Sequence, residues 1–535
     1  MRRSRWVPAA VLATSVSLLA ACGGGGDSGS GNDAANASVT VYGTEPQNGL
    51  LPSNTNEIGG TKALEPMFTK LVSYDSQTGA PSNAMAESIE SPDAKTYDIK
   101  IKKGWKFHDD TEVKAKNFVD AWNWAASAKN GQLNSSFFEQ IEGFDAVNPG
   151  KGKTPTADTM TGLQVINDYE FKVVLKAPFS VFPTKIGYDT FSPLPDVFFK
   201  DPKAFTEHPI GNGPLKFVSR TPNVDIKLTR FDGYPGQDKV KFKDLTIKIY
   251  SSQETAYQDL KSNRLDFMEA LPPSALAGGK YKTELGDGLI EGHLLSISTI
   301  AVPYYVPGYD NIHLRKAISM AINREQIVQT VMNDTYSPAD GWISRGIEGY
   351  RPDVCGEACK YDPVKAKAEL AQSGFTGKLT ITSNADGGRK EPLVAACNSI
   401  KNALGVECDF VPATNFGQYR GIVTGKKLTG MGRSDWSADY PSIEDFLNPI
   451  YKTDASSNDS AYSSPITDGL LTQADSTADK AAAIKFYQQA EDQVAKDLPQ
   501  IPVWEEKGFA AKSKRLKSAK LDFRRIPDYG AIEVA

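Results

Sequence analysis

Residues 96–125 read TYDIKIKKGWKFHDDTEVKAKNFVDAWNWA, and two periodicities meet inside them. From Thr96 to Lys102 the apolar residues alternate as Tyr97, Ile99 and Ile101, the period of a half-buried strand. Beyond Gly104 the period changes. Phe118, Ala121, Trp122 and Ala125 stand at i, i+3, i+4 and i+7, one face of a helix, with Thr111 expected as its cap. A strand that feeds a helix through a glycine turn predicts an α/β architecture.

The same signals continue outward. Residues 171–176 (FKVVLK), 224–229 (VDIKLT) and 245–250 (LTIKIY) read as strands. Leu314, Ala317, Ile318 and Ala321 mark a second strong helix, broken at Asn323, which caps a further turn carrying Ile327, Val328 and Val331. Pro363 and Pro392 suit first helical positions. Ile484, Tyr487 and Val494 mark a long late helix, followed by Ile501-Pro502-Val503-Trp504. The alternation has no fixed period, so this is not a repeat protein. Pro/Gly-rich joints near 192–214 and 302–309 are the expected domain crossings.

The chain has 535 residues, too many for one core, with 40% apolar and 23% charged residues, ordinary values for a globular protein. Its 65 acidic and 60 basic residues, scattered in sign, provide no basic field for nucleic acid.

Arg2, Arg3 and Arg5 precede an apolar run at 7–20, the pattern of a secretory signal peptide rather than a spanning helix. The run ends Leu19-Ala20-Ala21-Cys22, which resembles the bacterial lipobox. That resemblance implies a signal peptide over 1–21, cleavage before Cys22 and diacylation of its thiol and new amino terminus. The other reading is an ordinary signal whose cleavage site adjoins a cysteine. Loss of three arginines takes the formal charge from −5 to −8. Residues 22–38 then read as a lipid-anchored, Gly/Ser-rich flexible tether, and the resemblance implies a protein on the extracytoplasmic face of the cell membrane.

Export changes the reading of the other four cysteines. In an oxidising compartment an even set predicts disulfides, and three pairings are open. Cys355–Cys359 and Cys397–Cys408 are favoured. Leu393, Ala396, Cys397, Ile400 and Leu404 share a helical face ended by Gly405. Val406, Cys408 and Phe410 then alternate as a strand, so helix and strand can bring Cys397 to Cys408. A four-cysteine zinc site needs CxxC pairs that are absent.

Catalytic motifs are scarce. The four histidines stand far apart, without HExxH, GxSxG or a phosphate loop, and Gly104 and Gly211/Gly213 read as turn glycines. No catalytic residue, metal ligand or cofactor is expected. Residues 429–447, TGMGRSDWSADYPSIEDFL, differ from the rest. If 433–439 is extended, Arg433, Asp435, Ser437 and Asp439 share one face, and Trp436 and Tyr440 the other. A guanidinium suits a carboxylate and an aspartate suits an ammonium, so the pair Arg433/Asp439 suits a short zwitterionic chain. A surface salt-bridge strand with a core tryptophan is the plainer reading.

Three motifs resemble the extracytoplasmic solute-binding proteins, family 5, of oligopeptide/dipeptide ABC importers. Lys102–Thr111 (KKGWKFHDDT), with Val113, Ala115, Phe118 and Trp122, is similar to the family's "KGVKFHDGTPVTAEDVVYSW". Asn311–Val328 (NIHLRKAISMAINREQIV) is similar to "DVRVRKALSYAIDREAIV", and Trp436–Pro441 (WSADYP) to "WxADYxDP". Gly211-Asn212-Gly213-Pro214 stands where the family has "GTGPY". The resemblance implies an α/β, periplasmic-binding-protein-like type II (cluster C) fold, with two hinged lobes and an extra domain. Its expected divisions are 39–68, 193–300 and 512–535 for domain I, 69–192 for the extra domain II, and 301–511 for domain III.

The resemblance also implies roles. Asp439 matches the aspartate that holds a peptide's α-ammonium, and Arg433 an arginine that meets the carboxylate end. Arg389 falls near a basic position serving that end, and Glu57 (or Asn56) matches an acidic residue at the amino-terminal mouth. Trp436 neighbours the strand that pairs with the ligand, and Tyr440 follows the aspartate. Ala301 and Met332 stand where peptide binders carry a Glu and a Lys, and Pro441-Ser442-Ile443-Glu444 replaces the usual ending. The implied protein is not an enzyme. It is a monomeric receptor for short peptides that serves ABC permease subunits and meets the membrane through its lipid anchor alone. A signalling peptide, siderophore, haem or metal chelate is the alternative ligand, and an exported hydrolase the remote alternative.

Overall fold

The computed structural model describes residues 35–150, 152–385, 389–414 and 416–535. The expected signal peptide, Cys22 and the expected tether up to residue 34 lie outside the described residues.

The opening stretch folds as its periods require. Thr96–Ile101 is the second strand of a four-stranded antiparallel sheet with Ala86–Glu90, Glu170–Val174 and Leu163–Asn167. Tyr97, Ile99 and Ile101 are buried. The helix runs Ala115–Ala126 and lays Phe118, Ala121, Trp122 and Ala125 into the core. Trp122 packs edge-on to Phe171 at 5.6 Å and Phe191 at 5.2 Å, and its indole N–H donates to the Phe191 carbonyl at 3.0 Å. Thr111 is not the cap. Its hydroxyl donates to Asp109 Oδ1 at 2.5 Å, and the helix begins after Lys114, whose N–H donates to Asn117 Oδ1 at 2.8 Å. Residues 106 and 112 form a β-bridge first, which delays the helix by one turn.

A larger sheet joins the two halves of the molecule. From one edge the strands run Cys408–Ala413, Leu379–Asn384, Met431–Ser437, Ser296–Ala301 and Gln500–Lys512. The order then continues Phe267–Met268, Ser38–Gly43, Asp244–Ile249, Asp225–Arg230 and Leu215–Thr221. Gln500–Lys512 is 13 residues long and belongs to both halves. Its first part pairs with Ser296–Ala301 and Tyr336–Pro338, its last part with Leu289–His293 and Phe267–Met268. The hydrophobic cores divide at the same place. Leu294 packs in a core built from residues 39–294 and 510–532, and Leu295 in one built from 295–504 with Phe523. The joint at 302–309 lies inside that second core, through Val302, Val306 and Tyr309.

Helix signals elsewhere fall close to their elements. Asn311 and Asn323 cap Ile312–Met320 and Arg324–Thr330, and Asn323 Oδ1 accepts from the Gln326 N–H at 3.1 Å. Pro363 is the first residue of Pro363–Ser373, whereas Pro392 is the third of Lys390–Leu404, a helix that starts two residues early and ends at Gly405 with φ 75°.

Two of the sequence motifs brace one another. His108 accepts from the Gly211 N–H at Nδ1 (3.2 Å), so its Nε2–H is the donor to the Gly213 carbonyl at 3.0 Å. Burial lowers its pKa to about 4, which keeps the ring neutral. Asn212 is fully buried, and its amide bonds both the N–H and the carbonyl of Thr69, at 3.0 and 2.9 Å. Gly211 and Gly213 are therefore not turn glycines. They permit close approach: a Cβ on Gly211 would lie 1.9 Å from the Met67 carbonyl oxygen, and one on Gly213 2.5 Å from that of Pro66. Gly211→Ala must push two backbones apart and is expected to destabilise by about 1–3 kcal/mol. Denaturant unfolding checks this, and an unchanged midpoint contradicts it.

Candidate functional site

The strand Met431–Ser437 and the turn that follows it divide the cleft between the halves into two chambers. The first, about 550 Å³, is lined by Glu57, Tyr188, Asp189, Tyr336, Arg389, Ser437, Asp439, Glu506, Arg524 and Arg525. The second, about 700 Å³, lies on the other side and is lined by Phe137, Phe179, Lys185, Trp436, Asp439, Tyr440, Glu444 and Asp445. The alternation expected from sequence sorts the segment: Ser437 faces the first chamber and Trp436 and Tyr440 the second. Asp439, just past the strand's end, lines both.

Asp445 fixes this segment. Its Oδ2 accepts from the Asp439 backbone N–H at 3.1 Å and from the Trp436 indole N–H at 3.0 Å. The turn is thereby held, and the Asp439 side chain is left to the cleft. Among the described residues, that carboxylate has neither an ion pair nor a hydrogen bond. Burial pushes its pKa up to about 6, opposed by the charge of Lys185. Other acids of the first chamber are engaged. Glu506 pairs with Arg525 at 2.6 Å and Asp189 with Lys70 at 3.0 Å. Glu57 caps the helix Ile58–Leu64, accepting from the Gly59 and Gly60 N–H groups at 2.7 and 2.9 Å.

The arginines are placed differently from the sequence expectation. Arg433 does not share the first chamber with Asp439. It bonds Asp435 at 2.6 Å and lies over the rings of Phe416 and Tyr419, at 5.5 and 5.6 Å. Arg389 lines the chamber. It contacts the same Asp435 at 3.0 Å and donates to the Tyr336 hydroxyl at 2.6 Å. One carboxylate thus serves two guanidiniums, and the Asp435 charge raises the Arg389 pKa further. Strand neighbours matter too. Leu379–Asn384 pairs with Met431 and Gly432 only, so residues 433–437 have a partner strand on one side, Ser296–Ala301, and none on the other among the described residues.

Ala301 and Met332, the departures from the peptide-binder pattern, are both buried, Met332 in the second core, and line neither chamber. Cys355 and Cys359 have their Cα atoms 5.6 Å apart and Cys397 and Cys408 5.0 Å apart, with sulfurs at bonding distance in both pairs. Among the described residues no histidine ring bonds a serine or cysteine: His108 braces glycines, His293 contacts the Arg345 carbonyl and His313 contacts Glu369 at 2.6 Å. No group of three or more metal-ligating side chains occurs among the described residues either.

Sequence reasoning did not single out Lys185, Arg524, Arg525 or Glu506. They stand in ordinary stretches, and only the tertiary fold brings them to the cleft. Asp445 lay inside the segment 429–447, but its role in holding Asp439 needs the turn geometry.

The model of the bacterial extracellular solute-binding proteins, family 5 (middle), matches residues 80–458. The oligopeptide-binding protein OppA of Bacillus subtilis is 24% identical over 528 residues, covering 94% of each chain. The dipeptide-binding protein DppE of the same organism is 28% identical over 449 residues, covering 79% of this chain and 78% of its own. Haemophilus influenzae OppA, solved in complex with RPPGFSPFR, superposes with a TM-score of 0.75 at 22% identity, covering 93% of this chain and 99% of its own. The fold is thus the type II periplasmic-binding architecture. With a match across most of its length, the chain belongs to the bacterial extracellular solute-binding proteins of family 5.

Proposed function

We propose that the protein is the substrate-binding lipoprotein of an ABC importer, a non-catalytic monomeric receptor that captures short peptides outside the cell and delivers them to membrane permease subunits. The observation that carries this is the free Asp439 carboxylate, set where the two chambers meet while the neighbouring acids of the first chamber are engaged. A half-buried carboxylate with no ion pair of its own favours an incoming ammonium. The edge of residues 435–437 that no strand pairs among the described residues offers backbone groups to an extended chain, the mode of β-augmentation, while the Arg433 carbonyl accepts from the Tyr419 hydroxyl. The peptide-binding names of the two Bacillus subtilis relatives support the same ligand class.

In this reading Asp439 holds the α-ammonium. Arg389, which faces the first chamber, meets the carboxylate end. Arg433 acts through Asp435 as a positioning residue, and Glu57 shapes the mouth by capping its helix. The domain divisions follow those given above, except that the crossing between the halves is placed at Leu294–Leu295, where the cores divide, rather than after residue 300, with closure there and along Gln500–Lys512. Cys22 carries the lipid, and Cys355–Cys359 and Cys397–Cys408 are disulfides of the exported protein.

Calorimetric titration with tri- to pentapeptides tests the ligand class. Asp439→Asn is expected to weaken binding by about 2–5 kcal/mol, and N-acetylation of the peptide to have a comparable effect on the unaltered protein. Peptides that bind equally well when acetylated contradict the assignment. The pH dependence has a definite sign. Below about pH 6 Asp439 is neutral, so affinity for a peptide ammonium falls as pH drops through that value, and rises to a plateau above it. A flat profile between pH 4.5 and 8 contradicts this. For the anchor, Cys22→Ala is expected to abolish incorporation of labelled fatty acid and release the protein from the membrane fraction. Retained label places the lipid elsewhere.

A further inference from the structure

The second chamber has a chemistry of its own. Asp439, Glu444 and Asp445 converge on it, the last two 3% and 2% exposed, and among the described residues none of the three has an ion pair. Glu444 accepts from the Tyr440 hydroxyl at 2.6 Å, and Asp445 takes the two donors that hold the turn. Lys452 and Asp475, on the same lining, lie 3.8 Å apart. Lys185 is buried in the wall, donates to Gln140 Oε1 at 2.8 Å, and stands over the rings of Phe137, Phe179 and Tyr440 at 5.5, 5.7 and 5.9 Å. The lining therefore already accommodates one ammonium among aromatic faces, the setting that favours cations. Over the whole lining three lysines, Lys176, Lys185 and Lys452, stand against six acids, Glu139, Asp439, Glu444, Asp445, Asp454 and Asp475, which leaves a deficit of positive charge.

The first chamber is the opposite: its lining contains three guanidiniums, Arg389, Arg524 and Arg525, and the second chamber's lining contains none. A ligand whose ammonium rests on Asp439 stands in the doorway between them. Its chain and carboxylate end run toward the arginines, and its first side chain is left to the other side.

Resting on the peptide reading above, we propose that the second chamber receives the side chain of the ligand's first residue and selects a cationic one, lysine- or arginine-like. The aromatic walls Phe137, Phe179 and Trp436 take the aliphatic stem or stack on a guanidinium, and Glu444 and Asp445 supply the counter-charge. Burial raises the Glu444 pKa to about 7, with Lys185, Asp475, Tyr440 and Asn448 as its polar neighbours, so near neutral pH a proton competes for the place that a ligand cation would take.

The test is calorimetric titration of the full mature protein with three peptides, Arg-Ala-Ala, Ala-Ala-Ala and Glu-Ala-Ala. The expected order is Arg-first tightest, by tenfold or more over Ala-first, and Glu-first weakest. Glu444→Gln is expected to shrink the Arg/Ala ratio. Lys185→Met, which removes the resident cation, is expected to widen it, so the two variants move the same ratio in opposite directions. Equal affinity for the three peptides, or a ratio unchanged in both variants, overturns this inference alone. Failure of all three to bind overturns the peptide reading, and this inference with it.

Discussion

One strand, Gln500–Lys512, exchanges backbone hydrogen bonds with both halves of the molecule, and the cleft is where it is because of that sharing. The pairing partner changes between Glu506 and Lys507, and the second chain crossing, Leu294–Leu295, sits beside it. Leu294, Ser296 and Glu506 accordingly line the first chamber. Gly292 and Gly508 face one another at this point, and a Cβ on Gly508 would lie 3.1 Å from Leu521 and 3.3 Å from Leu294. With only two covalent crossings close together, the halves can rotate about this line with little change in either core, the requirement for hinge closure around a ligand.

Charge then decides what the cleft can hold. Burying a carboxylate without a partner is costly, and in the first chamber Glu506 is matched by Arg525 and Asp189 by Lys70, while Asp435 beside it serves two arginines. Asp439 is the exception in the first chamber, and its placement is deliberate in structural terms. Asp445 fixes its backbone and Trp436 together, leaving the carboxylate unsatisfied at the junction of two spaces. A solute that brings an ammonium to this point supplies what the folded chain lacks. The stability cost of the empty site and the affinity for the filled one have the same origin.

Much of this was legible in the residues, and the limits have physical reasons. Period-2 and period-3.6 patterns located Thr96–Ile101 and the helix behind it because both elements bury one face against a core. The alternation put Trp436 and Ser437 on opposite sides of the cleft, as the strand pleat requires, whereas Asp439 and Tyr440 lie past the strand's end and are placed by the turn. Helix starts were less legible. Thr111 has the right chemistry for a cap, but the bridge between Lys106 and Glu112 competes for the same backbone. The glycines of 211–213 carry ordinary dihedrals, and their need for absent side chains comes from residues 66–68, far away in sequence. Arg433 illustrates the general limit. Its position in the strand was readable, whereas its engagement by Asp435, with Arg389 on the same carboxylate, depends on a helix start some 44 residues earlier.

The central claim is that Asp439 receives the ammonium of a peptide lying between the halves. A crystal structure of the mature protein with a bound tripeptide tests it most directly. The predicted result is the peptide nitrogen within hydrogen-bond distance of the Asp439 carboxylate, the backbone alongside residues 435–437 and the carboxylate end toward Arg389. A peptide bound with its ammonium on another acid, or lying outside both chambers, would contradict it.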